Sequence, residues 1–329
     1  MPCVASHPHS RHDARRSAPR ALLQVLQGIM GPMFDRQHIR HAFGRAADTY
    51  AGAADLQREV EGWLLESLMY LDDTLPDTVL DLGSGPGHAS VAMRKRWPKA
   101  RIVALDMALP MLQRIDPRAG GGLARGLGLR PGIDRVCGDA AALPLADGTV
   151  DVLFSNLCLQ WVEDLPAALA GFRRVLRPGG LLLLSTFGHD TLHELREAFA
   201  EADEAPHVSP FVTIADFGDA LMHAGFRNPV IDRDMLVRGY GDVPALMREL
   251  RAIGATNALA GRRRTLTGRA RFARAASAYE PLRTAEGKLP ASWEVITAMA
   301  WAPEPGAPVR LGGEEIISFP ANRIPVRKR

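Results

Sequence analysis

The chain has 329 residues, 40 Lys and Arg against 37 Asp and Glu, and a formal net charge of +3. That balance gives no ground for nucleic acid as a partner. No apolar run approaches the ~20 residues that span a bilayer, so no membrane segment is expected. The cysteines Cys3, Cys137 and Cys158 are scattered and odd in number, which argues against a disulfide framework or a zinc site and for a reducing, cytoplasmic setting.

Residues 1–32 stand apart. They carry Arg11, Arg15, Arg16 and Arg20 against a single acid, Asp13. They hold no apolar core ahead of a small-residue cleavage site, so a standard secretory signal is not expected. An Arg-rich, acid-poor start resembles a mitochondrial transit peptide. The Ala, Arg and Gly bias of the whole chain favours a disordered extension instead, with Met33 as an alternative start.

From there the pattern turns helical. Phe34, Ile39, Phe43, Tyr50, Leu56, Val60, Trp63, Leu64 and Leu68 recur near helical spacing with a break around Gly52, so residues 33–72 are expected to form a helical lid. Strand and helix patterns then alternate within a domain at 73–302. Strands are expected at Thr78–Asp81, Arg101–Asp106, Arg135–Cys137, Val150–Ser155 and Gly180–Phe187. Helices are expected at Ser90–Trp97, Pro110–Ile115 and Leu165–Leu176, the last stopped by Arg177-Pro178-Gly179-Gly180. Helical insertions follow at about 188–225, interrupted at Ser209-Pro210, and at about 243–285, with late strands at Asn228–Gly239 and Trp293–Trp301. Residues 303–329 form a tail with one short strand at Glu315–Phe319. Alternation of this kind predicts an α/β fold with a doubly wound, mostly parallel sheet and ligands at the carboxyl ends of its strands.

Val79-Leu80-Asp81-Leu82-Gly83-Ser84-Gly85-Pro86-Gly87 is a buried strand ending in an acid, followed by glycines at alternate positions. Such glycines permit a tight turn with positive φ and let a ligand lie against the main chain. The run resembles D-x-G-x-G-x-G, the first motif of class I S-adenosylmethionine (SAM) methyltransferases, and its spacing differs from the dinucleotide fingerprint. The resemblance implies a seven-stranded Rossmann-like sheet and SAM as cofactor, held by Asp81, Gly83, Ser84, Gly85 and Gly87. Asp106, ending the second strand, is placed to accept from ribose hydroxyls. Met107, in a run resembling D-x-S-x-x-M-L with Ala108 in place of serine, would pack on the adenine. Asp139 and Ala140, after the third strand, are placed at the adenine amino group. Asn156 to Trp161 would line the methyl-transfer end. The two aspartates also suit helix caps, and Met107 also suits the core.

His41-Ala42-Phe43-Gly44-Arg45-Ala46-Ala47-Asp48-Thr49-Tyr50 is similar to the N-terminal signature of the malonyl-acyl carrier protein (ACP) O-methyltransferases of biotin synthesis. Leu157-Cys158-Leu159-Gln160-Trp161 resembles that family's N-L-x-x-Q-W run, and Leu250 to Asn257 its K/R-x-I-G-A-T segment. The likeness covers roughly residues 38–301. It implies methyl transfer to the free malonyl carboxylate. A carboxylate with a pKa near 4 is ionised at neutral pH and needs no general base, which suits the lack of a His/Asp pair near Asn156. It also implies a lid in which Tyr50 offers a hydroxyl and Arg45 grips a carboxylate, beside Asn156, Gln160 and Trp161. Tyr50 equally suits a core aromatic and Arg45 a solvated charge.

A carrier protein is acidic. Arg248, Arg251, Arg262, Arg263, Arg264, Arg269, Arg271 and Arg274 stand against one acid, Glu249, and form either a docking face or a solvated helix face. His189 and His193 share a helix face, but Asp190 stands where H-E-x-x-H needs Glu and no third ligand is evident, so no metal is expected. Residues 187–196 and 207–211 also resemble a complex I assembly factor that hydroxylates arginine on the same scaffold. A non-catalytic SAM-binding module is the third reading, and the intact glycine turn argues against it.

Overall fold

The computed structural model describes residues 32–71, 75–116, 119, 132–263, 265, 268–304, 309–311 and 314–316. All but the last position of the expected N-terminal extension, and most of the C-terminal tail, lie outside these. Phe34–Arg329 form one unit, built on a seven-stranded sheet. Its strands are β1 (Thr78–Leu82), β2 (Arg101–Asp106), β3 (Ile133–Cys137), β4 (Val150–Ser155), β5 (Leu176–Phe187), β6 (Arg227–Tyr240) and β7 (Leu289–Trp301). Their order is β3-β2-β1-β4-β5-β7-β6. Neighbours from β3 to β5 pair in parallel, and β7 enters antiparallel between β5 and β6. The expected class of sheet is present. The order reverses at β1, and at such a point the turns leaving β1 and β4 diverge and open a crevice at the strand ends.

β3 starts earlier than its sequence pattern suggests, at Ile133, and β5 and β7 extend furthest beyond theirs. β5 begins at Leu176 because Val150 pairs with Leu176 and Val152 with Leu181, so the expected Arg177–Gly180 turn is an excursion within the strand. β7 begins at Leu289, where Leu289 and Pro290 pair with Tyr240 and Gly239 at the sheet edge. In the tail, β8 (Val309–Leu311) and β9 (Glu314–Ile316) make a separate antiparallel pair. Positions 317–319 of the expected strand lie outside the described residues.

The N-terminal helical segment divides in two. α1 (Arg36–Ala46) and the one-turn α2 (Tyr50–Ala53) lie over the strand ends. α3 (Asp55–Ser67) belongs to the layer on the sheet: its Leu64, with Leu68 beyond its end, joins Val79, Met93, Val152 and Phe154 in one apolar cluster. α4 (His88–Arg96) supplies Met93 to that face, and α5 (Leu109–Arg114) supplies Leu112. The opposite face is covered by α6 (Leu165–Val175) and α8 (Ile214–His223), whose Phe172, Phe217 and Leu221 meet Leu153, Leu182 and Ile296. α7 (His193–Ala200), α9 (Val243–Ala252) and α10 (Arg269–Tyr279) build a third cluster around Phe187, Trp293 and Tyr240.

α1 is held at both ends. Asp35 caps it by accepting from the His38 N–H at 2.9 Å, and the same carboxylate accepts from Arg262 at 2.9 Å. At the far end Thr49 Oγ1 donates to Ala252 O at 2.7 Å. Between them Gly254 closes α9 in the left-handed region, φ +80°, where a Cβ would lie 3.0 Å from the Cα of Phe43. Only glycine lets the two backbones come this close. Gly254→Ala is therefore expected to destabilise the protein by about 2–4 kcal/mol, from left-handed strain and overpacking together. Gly62, mid-helix in α3 with open space at its Cβ position, is the control: Gly62→Ala should gain about 0.5–1 kcal/mol. Chemical denaturation of the pair checks both signs.

Candidate active site

The turn leaving β1 shapes the site. Gly83, Gly85 and Gly87 have φ of +69°, +52° and +82°. A Cβ at Gly83 would fall 2.5 Å from Cys158 Sγ, and one at Gly87 2.5 Å from Ile115. Gly85 is different: its nearest neighbour is Tyr50 Cε1 at 4.0 Å, so its requirement is the backbone angle alone. The turn is tied to the end of β2 through Asp106. Oδ2 accepts from Gly85 N at 2.9 Å and Oδ1 from Ala108 N at 2.8 Å. Burial pushes this carboxyl's pKa up and the two N–H donors pull it back. A carboxylate has about four acceptor positions, so two remain for a ligand.

Three cavities meet here. The first follows the strand ends and is lined by Gly83, Asp106, Met107, Asp139, Ala140 and Asn156. Its outer end is bridged by Arg36 of α1, whose Nη2 is 3.0 Å from Asp139 Oδ2. Asp139 also caps its own turn, accepting from Ala141 N at 2.9 Å. The second lies over the β1 turn between Asp81, Ser84, Arg58, Glu61 and His88. His88 Nδ1 is 2.6 Å from Glu61 Oε1. The third, about 210 Å³, is lined mainly by apolar side chains, among them Phe187, Leu195, Phe211, Met247, Leu250 and Trp293. Phe43, Tyr50, Leu157 and Trp161 line both it and the first cavity. Tyr50 lines all three. Burial first, with Asp106 nearby second, raises the Tyr50 pKa, so it stays a neutral phenol.

Asn156 is fixed from two sides: it donates to Gln57 O at 2.9 Å and accepts from Ser185 Oγ at 2.8 Å. It thus ties α3 to the end of β5. Gln160, in the third cavity, donates to Leu157 O at 2.7 Å. Some buried polar atoms in this region have no hydrogen-bond partner: Ser84 Oγ in the second cavity, and Gln160 Oε1 and Trp293 Nε1 on residues of the third. Buried polar groups are normally satisfied, so their gathering around the cavities marks where a polar ligand fits.

Nearly all the sequence-derived site residues come together at these walls. Gly87 shapes the turn without lining a cavity. Arg45 is placed elsewhere: it is exposed on the far side of α1, in a groove with Thr49, Arg248 and Arg251. The helical period explains this, because Phe43 faces the cavities and a position two residues on points away. The arginine-rich stretch is also more committed than its composition implied. Arg262 pairs with Asp35, Arg263 and Arg271 with Asp203, and Arg274 donates to Ala202 O. Arg264 lies outside the described residues. Among those residues no group of three potential metal ligands is found, and no helix is long and apolar enough to cross a membrane. Gln57, Glu61, His88 and Trp293 were not expected at the site. They sit on elements whose hydrophobic period reports packing and says nothing of which flank crosses the strand ends.

A strand-end crevice of glycines and acids, roofed by helices and opening into an apolar chamber, defines a group-transfer enzyme of the doubly wound class. A family model described as a methyltransferase domain matches residues 80–184. The malonyl-ACP O-methyltransferase of Xylella fastidiosa (strain M23) is 58% identical over 300 residues, covering 91% of this chain and 99% of the relative. That of Laribacter hongkongensis is 45% identical, covering 87% and 96%. That of Nitrosospira multiformis is 43% identical, covering 82% and 90%. The chain belongs to the malonyl-ACP O-methyltransferase family.

Asp81 gives the site a pH signature. It is 2% exposed and accepts from Ser90 Oγ at 2.5 Å. Burial pushes its pKa up from 3.8 to about 7. Below pH ~4 the group is protonated in folded and unfolded chains alike. Between ~4 and ~7 only the unfolded chain releases the proton, so this contribution to stability is lost as pH rises through the folded value. Asp81→Asn removes the titration and keeps an acceptor for Ser90. Its stability relative to wild type should climb by roughly 1 kcal/mol per pH unit across that window and level off above it. Urea denaturation at a series of pH values reads this, and a flat difference would place Asp81 in an ordinary carboxylate environment.

Proposed function

We propose that the chain transfers a methyl group from SAM to the free carboxylate of malonyl-ACP, giving the methyl ester that opens biotin synthesis, in the cytoplasm. The observation that carries this reading is the shared wall of Phe43, Tyr50, Leu157 and Trp161, where an apolar acceptor chamber opens onto the strand-end crevice. The crevice fits the cofactor. Asp106 offers its two remaining acceptor positions to the ribose, Met107 an apolar face to the adenine, and Asp139 an acceptor to its amino group. The second cavity holds acids, Asp81 and Glu61, for an ammonium, with Arg58 and the unpartnered Ser84 Oγ for a carboxylate. SAM, when bound, supplies an electrophilic methyl on a sulfonium.

The rest is alignment. The malonyl carboxylate arrives ionised, so no side chain has to take a proton. Tyr50, kept neutral, can donate to the carboxylate without neutralising it. The apolar walls exclude water and hold nucleophile and methyl in line. For the carrier's acidic surface we assign Arg269, exposed at the start of α10.

Two measurements test the reading. Incubation with SAM and malonyl-ACP, followed by mass spectrometry, should show one added methyl, and acetyl-ACP, which lacks the free carboxylate, should show none. Arginine hydroxylation of a protein partner, with no ester, would favour the assembly-factor alternative. Asp106→Ala should weaken SAM binding by about 1–3 kcal/mol in calorimetry, the cost of unpaired hydroxyls. Unchanged affinity in a folded variant would remove Asp106 from the site.

A further inference from the structure

The groove that holds Arg45 lies between α1 and α9 and is lined by Ala42, Arg45, Ala46, Thr49, Arg248, Arg251, Ala252 and Thr256. Three arginines line it, and among the described residues no acid does. The side chains of Arg45 and Arg251 make no hydrogen bond or ion pair among the described residues. Arg248 has only a long contact with Asp242, at 3.9 Å. Asp48, the nearest acid in sequence to Arg45, is engaged by Arg114. Clustered like charges repel, and among the described residues Asp242 is the one acid that pairs with any of the three. Its walls are nonetheless fixed, by the Thr49–Ala252 bond and the close approach at Gly254. A groove of this charge attracts anions, and guanidinium groups favour phosphate oxygens.

The position of the groove says which phosphate. Arg251 and Thr256 line both the groove and the acceptor chamber, so an anion here sits at the chamber's mouth. A malonyl group reaches the chamber as a thioester on a long, largely uncharged phosphopantetheine arm that ends in a phosphodiester. With the acyl end inside, the arm leaves past Arg251 and Thr256. We propose that Arg45, Arg248 and Arg251 form a binding site for the phosphate of the acceptor's phosphopantetheine arm. This rests on the reading of the acceptor as a malonyl thioester. It gives Arg45 a role outside the methyl-transfer centre, in binding the acceptor's far end.

The test compares malonyl-pantetheine, which has no phosphate, with malonyl-phosphopantetheine and malonyl-ACP. In the wild type, KM for malonyl-phosphopantetheine should lie about tenfold below that for malonyl-pantetheine, the value of one charge-assisted contact. Arg45→Gln/Arg251→Gln should erase that difference by raising KM for the phosphate-bearing substrates, with kcat for them little changed. Equal losses with malonyl-pantetheine would mean that the arginines build the chamber. Losses confined to malonyl-ACP would mean that they read the carrier's protein surface. No phosphate preference in the wild type would also overturn the proposal. Should the wild type methylate none of the three, the acceptor reading itself fails. Calorimetry of phosphopantetheine against pantetheine then still reads the groove: binding that needs both the phosphate and the two arginines supports it, and its absence does not.

Discussion

The site depends on a backbone turn that only glycine can make. Residues 83, 85 and 87 alternate in the left-handed region, which turns the main chain sharply at the end of β1 and aims the Gly85 N–H at Asp106. That hydrogen bond joins two neighbouring strand ends, and Asp106 extends the tie to Ala108 at the start of α5. Cys158 then packs against Gly83 with no room for a side chain. Burial holds its thiol proton, with a pKa pushed up to about 12, so the sulfur is a filler here. The crevice is thus shaped by the protein's own contacts, which a ligand need not supply.

The roof is built by a second close approach, between chain segments some two hundred residues apart. The signature around Phe43–Tyr50 and the Ile253-Gly254-Ala255-Thr256 segment are one structure in space. Gly254 abuts Phe43, and His38 Nε2 meets Thr256 Oγ1 at 3.2 Å. Phe43 is then free to meet Trp161 edge to face, ring centroids 5.5 Å apart, and that pair forms part of the wall between crevice and chamber. Arg262 on Asp35 fastens the same roof, so this member of the arginine-rich stretch serves packing.

The sheet was legible because its central parallel strands are largely buried on both faces and read as apolar runs bounded by glycines and acids, whereas β3, at the edge, carries Asp134 and Arg135 and was read short. β6 was legible for another reason: it is an edge strand with alternating burial. The strand-end residues Asp106, Met107 and Asp139 could be found because position at a strand's carboxyl end is itself a spatial statement. Helices carry less. A helical period identifies the face that packs and leaves undecided which flank crosses a site. Glu61 and His88 were therefore missed, and Arg45, two residues from Phe43, was drawn into a site it faces away from. Charge composition misleads in the same way. A run of arginines looks like a surface until each is paired with its acid, and Asp203 alone takes two of them.

The chamber's chemistry follows from what was kept out of it. For the proposed reaction an arginine against the malonyl carboxylate would bind substrate well and blunt the nucleophile, since a tight ion pair stabilises the ground state more than a transition state in which that charge is being consumed. The walls that meet the crevice are aromatic, aliphatic or neutral: Phe43, Leu157, Trp161 and a phenol held protonated by burial. The cationic groups stand at the mouth, where Arg251 is exposed. In the proposed reaction, attraction for the acceptor and reactivity of its carboxylate would thereby be separated in space. On the proposed reading, charge would act at the entrance, where it aids encounter and anchorage, and geometry with exclusion of water would act within, where the bond is made.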